Sequence, residues 1–324
     1  MKPIYARIAG TGSSLPDKVL TNQDLEKMVA TSDEWIRART GIERRHIAAE
    51  NETNLDFCER AARQAMQAAG LGPQDLDLVI VGTTTPDQIF PNMGCLLQQR
   101  MGIRECTAFS LEAACTGFIY ALDIGEKFIR AGSVRHALIV GGETLSRMTD
   151  WTDRSTCVLF GDGAGAVVLE ASDSPGILST HLHADGQYAD LLYFPSGVSK
   201  KPENFRARRD YIQMKGSEVF KVAVRKLGDV VTEALAANHL PAEKLDWLVP
   251  HQANLRIIEA TARRLKLPMA RVVLTVQEHG NTSTASVPLA LDVAVRDGRI
   301  RRGQTILLEA FGAGFTWGAA LIRY

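Results

Sequence analysis

Three residues of this 324-residue chain bring together a nucleophile, an imidazole and an amide donor in settings suited to acyl transfer. Cys115 sits in Glu112-Ala113-Ala114-Cys115-Thr116-Gly117-Phe118, where small neighbours leave room for a substrate to approach the sulfur. His251 follows an apolar run directly in Val249-Pro250-His251-Gln252-Ala253-Asn254, and α/β sheets place ligands at the carboxyl ends of such strands. Asn281 lies in His279-Gly280-Asn281-Thr282-Ser283. A thiol takes an acyl group from a thioester, and neutral N–H donors stabilise the oxyanion or enolate that such chemistry builds. Taken singly, each has a plainer reading: a small buried cysteine, a structural histidine, and a helix cap preceded by a glycine turn.

The elements that must position these residues form a duplication. Apolar residues at helical spacing run over 32–39 and 55–69, the second stretch ending at Gly70, and the β-type run Leu76-Asp77-Leu78-Val79-Ile80-Val81 follows. Much later the amphipathic stretch 219–238 leads in the same way into Leu245-Asp246-Trp247-Leu248-Val249. Ala121-Leu122-Asp123 opens a helix that passes through Arg130-Ala131-Gly132 to the strand Ala137-Leu138-Ile139-Val140. Its echo is Ala290-Leu291-Asp292, then Arg296-Asp297-Gly298, then Thr305-Ile306-Leu307-Leu308. Alternating strands and helices predict mostly parallel sheets covered on both faces, and the repeat predicts two α/β halves packed about a pseudo-twofold axis. The expected halves are 1–173 and 174–324, divided within the small, turn-favouring run Ala171-Ser172-Asp173-Ser174-Pro175-Gly176. The polar, basic stretch 197–209, with Pro202, reads as an exposed loop. Cys115 and Asn281 precede matching helices, so both are expected at helix N-termini, where free N–H groups and the helix dipole favour a thiolate or a developing oxyanion.

Composition narrows the class. Hydrophobic residues make up 45% of the chain, charged residues 23% and aromatic residues 6%, as in an ordinary soluble α/β protein. Acidic and basic residues number 37 each, so no whole-protein field draws the chain to nucleic acid or membrane, and a charged partner must meet a local patch. Cys58, Cys95, Cys106, Cys115 and Cys157 form no CxxC pair, which argues against a disulfide framework or a zinc site. The first residues, Met1-Lys2-Pro3-Ile4-Tyr5-Ala6-Arg7, carry no apolar signal core, so a cytoplasmic enzyme is expected. Gly161-Asp162-Gly163-Ala164-Gly165 precedes a strand instead of opening a helix and is expected as a tight turn, not a nucleotide loop. His181-Leu182-His183 resembles a metal pair but has no third ligand nearby in sequence, and no metal is expected.

Four ordered motifs together resemble the β-ketoacyl-acyl carrier protein synthase III family of thiolase-like condensing enzymes. They are Ala113-Ala114-Cys115-Thr116-Gly117, Pro250-His251-Gln252-Ala253-Asn254-Leu255-Arg256, His279-Gly280-Asn281-Thr282-Ser283 and Phe311-Gly312-Ala313-Gly314-Phe315-Thr316-Trp317-Gly318. Thr31-Ser32-Asp33-Glu34-Trp35-Ile36, Arg39-Thr40-Gly41, Asp153-Arg154 and His181-Leu182-His183-Ala184-Asp185-Gly186 extend the resemblance over nearly the whole chain. It implies an α/β thiolase-like fold with αβαβα layering, a homodimer, and the initiating condensation of an acyl-CoA primer, acetyl-CoA or another short acyl-CoA, with malonyl-acyl carrier protein. No metal or redox cofactor is implied, because loss of carbon dioxide drives the step.

By motif match, Cys115 is the nucleophile, His251 and Asn281 complete the triad, and the backbone N–H groups of Cys115 and Ala313 form the oxyanion site. Trp35 and Arg154 would flank the CoA adenine, Arg39 would meet its phosphates, and Asn254 would line the pantetheine path. Gln252, Arg256, Lys221, Arg263 and Arg264, with Arg225 beside them, are the candidates for meeting the acidic carrier protein. Phe90 would cross the dimer to close the partner's acyl pocket. Ala313 stands where the family commonly has glycine, so its turn must keep φ negative or carry strain. Degradative thiolases place a second cysteine where Gly312-Ala313-Gly314 stands here, which favours synthesis over cleavage. Competing readings are a condensing enzyme of secondary metabolism with another primer, a cysteine thioester hydrolase, for which acyl transfer to water is the discriminating assay, and a non-catalytic acyl-binding scaffold.

Overall fold

The computed structural model describes residues 3–324. Its main strands are β1 (Tyr5–Ser14), β2 (Leu78–Gly82), β3 (Thr107–Leu111), β4 (His136–Thr144), β5 (Asp162–Ser172), β6 (Ile177–Ala184), β7 (Trp247–Pro250), β8 (Thr305–Gly312) and β9 (Thr316–Arg323). The helices that position the site are α1 (Asp33–Thr40), α2 (Asn54–Ala69), α3 (Gly117–Arg130), α4 (Gly216–Ala237), α5 (Leu255–Leu265) and α6 (Ser286–Arg296).

The duplication is visible in the strand order. One sheet runs β1-β5-β4-β2-β3, with β2 parallel to both β3 and β4 and the other pairs antiparallel. The other runs β6-β9-β8-β7, again antiparallel at the first two pairs and parallel at β8/β7. Where the first sheet has β3, the second has a single parallel bridge between Leu248 and Val272.

Strand side chains alternate between faces, so a sheet covered on both sides buries two separate sets. Leu78 and Ile80 face a central core that also takes Ile306 and Leu308 from the second sheet, with Phe118, Leu122, Val287 and Leu291 of α3 and α6 between them. Val79 and Val81 point the other way, onto Phe57, Ala61, Ala65 and Met66 of α2. On the far side, Leu307, Ala319 and Leu321 pack under Leu227, Val231 and Ala234 of α4 and Ile258 and Ala262 of α5. The result is the expected five layers: α2, sheet, α3 with α6, sheet, α4 with α5.

Local chemistry sets the helix ends. Asp56 Oδ2 accepts from Thr53 N–H at 2.8 Å at the start of α2, and Gly70 closes that helix at φ +69°. The glycine run at 161–165 departs from the expected turn, because β5 begins at Asp162 and pairs with β4 through it. A Cβ on Gly165 would stand 2.6 Å from Leu289 N, so this strand is glycine-rich because α6 presses on it. Within the expected loop 197–209, Pro202–Ala207 forms a short exposed helix with proline in its first turn. No helix among the described residues is long and apolar enough to cross a membrane.

Candidate active site

Between β3 and α3 the chain makes a 3-10 turn, Ala114–Thr116, and Cys115 sits in it, 8% exposed, just before the first residue of α3. Ala114 takes the left-handed φ of +45°, which is costly for a residue with a Cβ and needs support from its surroundings. Part of that support comes from the β8–β9 hairpin. Thr116 Oγ1 donates to Thr316 O at 3.1 Å, and Thr316 Oγ1 lies 3.2 Å from Ala113 O. The approach is so close that a Cβ on Gly312 would stand 2.8 Å from Cys115 N. Ala313, next in the hairpin, has no positive φ; the conformation that only glycine tolerates falls on Gly314, at φ +135°. Alanine is therefore accommodated without the strain that the sequence left open.

His251 follows β7, its N–H bonded to Glu309 O at 2.7 Å. Its Nδ1 lies 2.5 Å from Ser286 Oγ, the first residue of α6, and Gln252 N–H donates to the same oxygen at 3.3 Å. With one donor already on Ser286 Oγ, we assign the serine proton to Nδ1, which leaves the imidazole proton on Nε2. Asn281 is oriented in a similar way: its Oδ1 accepts from Ser283 N–H at 2.9 Å, which leaves the Nδ2 amino group as the donor. Burial pushes the His251 imidazole down to about 3, so the ring is neutral at physiological pH.

Burial also pushes the Cys115 thiol up to about 12, against the downward pull of hydrogen bonding from Ser283 and from its own backbone. The helix start that follows Cys115 acts in the opposite sense to burial, toward the thiolate. The arrangement sets a buried thiol beside two N–H donors, with the imidazole held neutral by its own burial.

Cys115 lies on the wall of two cavities. One, of about 580 Å³, is shared with His251 and Asn281 and reaches Trp35, Arg39, Asn254, Lys221 and Arg256. The other, of about 650 Å³, runs past Ala313 and Gly314 toward Leu145, Met148, Phe160, Leu192, Phe194 and Ile212. At the outer end of the first, the guanidinium carbons of Arg39 and Arg154 lie 5.3 and 4.7 Å from the Trp35 ring centre. Asn254 caps α5 through Arg256 N–H at 2.9 Å and donates to Arg39 O at 3.1 Å, so it has a structural task beside any contact with ligand. Lys221 and Arg256 are exposed at this mouth, with Arg256 5.2 Å from the Phe220 ring centre. Arg263, Arg264 and Arg225 line a separate groove between α4 and α5.

Gln252 is corrected: it is 1% exposed. Its amide donates to Pro250 O and Val273 O and accepts from Thr275 N–H and Val276 N–H. It fixes the His251 loop from inside and cannot meet a docked protein. Phe90 is 83% exposed and lines neither cavity of its own chain. His181 and His183 share the carboxylate of Glu233, at 3.0 and 2.7 Å, a partner on α4 that lies 52 and 50 residues away in sequence.

Sequence reasoning missed Ser286, Thr284 and Glu143 and the apolar wall of the second cavity. Ser286 carried a weak signal: it follows Ser283 by three residues at a helix start.

Two stacked copies of one sheet plan, with a cysteine turn from one half facing a histidine and an asparagine from the other, define a condensing enzyme of the thiolase-like class, an acyltransferase. Residues 109–186 match the family described as 3-Oxoacyl-[acyl-carrier-protein (ACP)] synthase III, and residues 235–324 match its C-terminal part. A beta-ketoacyl-[acyl-carrier-protein] synthase III of Thioalkalivibrio sulfidiphilus is 62% identical over 320 residues, covering 99% of both chains. The crystal structure of the 3-oxoacyl-[acyl-carrier-protein] synthase III of Aquifex aeolicus is 47% identical, with a TM-score of 0.93 over 98% of this chain and 100% of that one. The priming β-ketosynthase of the R1128 polyketide pathway is 36% identical, with a TM-score of 0.95 over 99% of this chain and 97% of that one. The chain belongs to the 3-oxoacyl-[acyl-carrier-protein] synthase III family.

Proposed function

We propose that the chain performs the initiating condensation of type II fatty-acid synthesis. It joins a short acyl group from acyl-CoA to malonyl-acyl carrier protein and releases a 3-oxoacyl-acyl carrier protein and CO2. The observation that carries this reading is the placement of Cys115 between a polar-mouthed tunnel and an apolar cavity, with His251 and Asn281 on the tunnel wall.

In the first half-reaction the Cys115 sulfur attacks the thioester carbonyl, and the tetrahedral oxyanion rests against the N–H groups of Cys115 and Ala313. Collapse breaks the carbon–sulfur bond to CoA, which leaves carrying the thiol proton, so acyl-Cys115 forms with no net proton change. In the second, the bond between the malonyl methylene and its carboxylate breaks and CO2 leaves. The electron pair becomes a thioester enolate stabilised by donors from His251 Nε2 and Asn281 Nδ2. The enolate carbon attacks the acyl-Cys115 carbonyl, the bond to sulfur breaks, and the sulfur takes up one proton. The steps as written use no metal or redox group, and acyl-CoA serves as substrate.

Trp35 and Arg154 part to take the adenine between them, Arg39 meets the phosphates, and Asn254 lines the pantetheine path. Arg256 and Lys221, with Arg263 and Arg264 farther along α5, receive the acidic carrier protein, an arrangement supported by their exposure around the tunnel mouth and the neighbouring groove. The reading also includes a homodimer in the cytoplasm. Its support is the single-neighbour edge strand β3 and the exposed pair Ile89 and Phe90, at 60% and 83%. Phe90 would then close the partner's acyl cavity.

The test is intact mass after incubation with a series of acyl-CoAs. One acyl increment per chain, mapped to the peptide containing Cys115 and lost in Cys115→Ala, is expected. An increment that persists in Cys115→Ala removes the nucleophile from this scheme.

A further inference from the structure

Glu143, on β4, is fully buried behind the nucleophile turn. Its carboxyl takes bonds from successive threonines: Thr84 N–H at 3.1 Å from Oε1, with Thr84 Oγ1 at 3.0 Å and Thr85 Oγ1 at 2.6 Å from Oε2. Oε1 also lies 3.3 Å from Ser283 Oγ and 3.0 Å from Thr284 Oγ1. Two left-handed residues are tied to this carboxyl, one from each half of the chain: Ser283 at φ +50° touches it directly, and Ala114 at φ +45° is reached through Thr284. Both belong to the turns that present Cys115 and Asn281.

Proton counting at Thr284 decides the state of the carboxyl. Its hydroxyl has one proton and two oxygen neighbours, Ala114 O at 2.7 Å and Glu143 Oε1 at 3.0 Å. The carbonyl can only accept and is the closer of the two, so Thr284 donates to Ala114. The remaining contact is a hydrogen bond only if the carboxyl supplies the proton; otherwise two lone pairs face each other in a dry interior.

We propose that Glu143 is a positioning residue: a neutral carboxylic acid that donates to Thr284 and so locks the Ala114–Cys115 turn against the Asn281–Thr284 turn. Burial raises its pKa in the same direction, against the hydrogen bonds that Thr85 and Thr84 donate to it. The titratable groups facing it are the thiols of Cys115 and Cys58, both themselves raised by burial.

The inference rests on Cys115 as nucleophile, so the test includes a readout that needs no acyl substrate: the pH dependence of Cys115 alkylation by iodoacetamide. Glu143→Gln keeps a donor toward Thr284 and changes no charge. It should leave the alkylation curve in place and single-turnover acylation within about threefold of the wild type, since one neutral hydrogen bond replaces another. Glu143→Ala and the isosteric Thr284→Val break the lock and should slow acylation about tenfold or more, the effect of losing one buried bond and relaxing two strained turns. An alkylation curve moved to lower pH in Glu143→Gln would mean that a carboxylate charge had been removed, and would overturn the proposal. So would Glu143→Gln losing as much as Glu143→Ala, or Thr284→Val behaving as wild type. If Glu143→Ala does not fold, the other two variants decide.

Discussion

Ser286→Ala isolates the step that sets the histidine tautomer. The serine hydroxyl lies 2.5 Å from His251 Nδ1, and Gln252 N–H already occupies one of its acceptor positions, so it can donate to the ring and hold the proton on Nε2. Alanine removes that donor in a site where His251 is only 5% exposed and water cannot readily replace it. A neutral hydrogen bond contributes about 0.5–1.5 kcal/mol, and about 1.4 kcal/mol is tenfold in rate, so loss of the tautomer bias should slow decarboxylation by about 2- to 13-fold. Removing the donor itself, in His251→Ala, should slow it by about 10²–10³, the range for deleting one oxyanion donor. The assay is CO2 release from malonyl-acyl carrier protein by pre-acylated enzyme, run beside single-turnover acylation of Cys115 from acyl-CoA. Acylation should change little in Ser286→Ala, since no enolate forms in that half-reaction. Three results would refute the reasoning: a loss as deep as that of His251→Ala, equal loss of both half-reactions, or no loss at all. The first two would place Ser286 in the fold or at the nucleophile, and the third would mean that His251 keeps its tautomer without it.

Other consequences follow from the buried and exposed charges. Glu309 is 1% exposed on β8, with one carboxyl oxygen unbonded, and burial pushes its pKa up to about 8. An unfolded glutamate titrates near 4.3, so between about pH 4 and 8 the unfolded chain gives up this proton while the folded one keeps it, which removes roughly 5 kcal/mol of stability as pH rises. Glu309→Gln should flatten that slope in denaturant titrations; an unchanged slope would mean that Glu309 is ionised in the fold. Arg256→Glu should reduce kcat/KM for malonyl-acyl carrier protein most at low salt, because exposed charges are screened over about 8 Å at physiological ionic strength. Single-turnover acylation should fall much less, and parallel loss of both would assign Arg256 to the shared tunnel instead of docking.

The fold was legible because its signals are periodic and repeated. The apolar run at 78–81, helical spacing in 55–69 and the echo of 121–140 in 290–308 each depend on neighbours in sequence, and the sheets follow the same plan twice. Cys115, His251 and Asn281 were legible because small residues, a strand end and a glycine turn mark their positions locally. What escaped was the set of partners assigned by packing. Gln252 lies in the same motif as His251 and the exposed Arg256, and the motif match placed it on the docking surface. The turn after β7 points it inward instead, where two carbonyls and two N–H groups fully occupy its amide. Glu143 carries no local mark, since its ligands come from residues 84–85 and 283–284, some 60 and 140 positions away.

The strained residues are instructive for the same reason. Nothing near Ala114 in sequence asks for a left-handed alanine, and nothing near Ser283 asks for a left-handed serine. Each conformation is supported by the other half of the chain: Ala114 O accepts from Thr284, and Ser283 and Thr284 meet the Glu143 carboxyl of the first half. The nucleophile and the amide donor are thus aligned only when both halves are folded and packed. A duplicated fold that supports its strained turns across the two halves couples assembly of the site to completion of the core, because those turns lead directly into α3 and α6, whose apolar faces meet between the sheets.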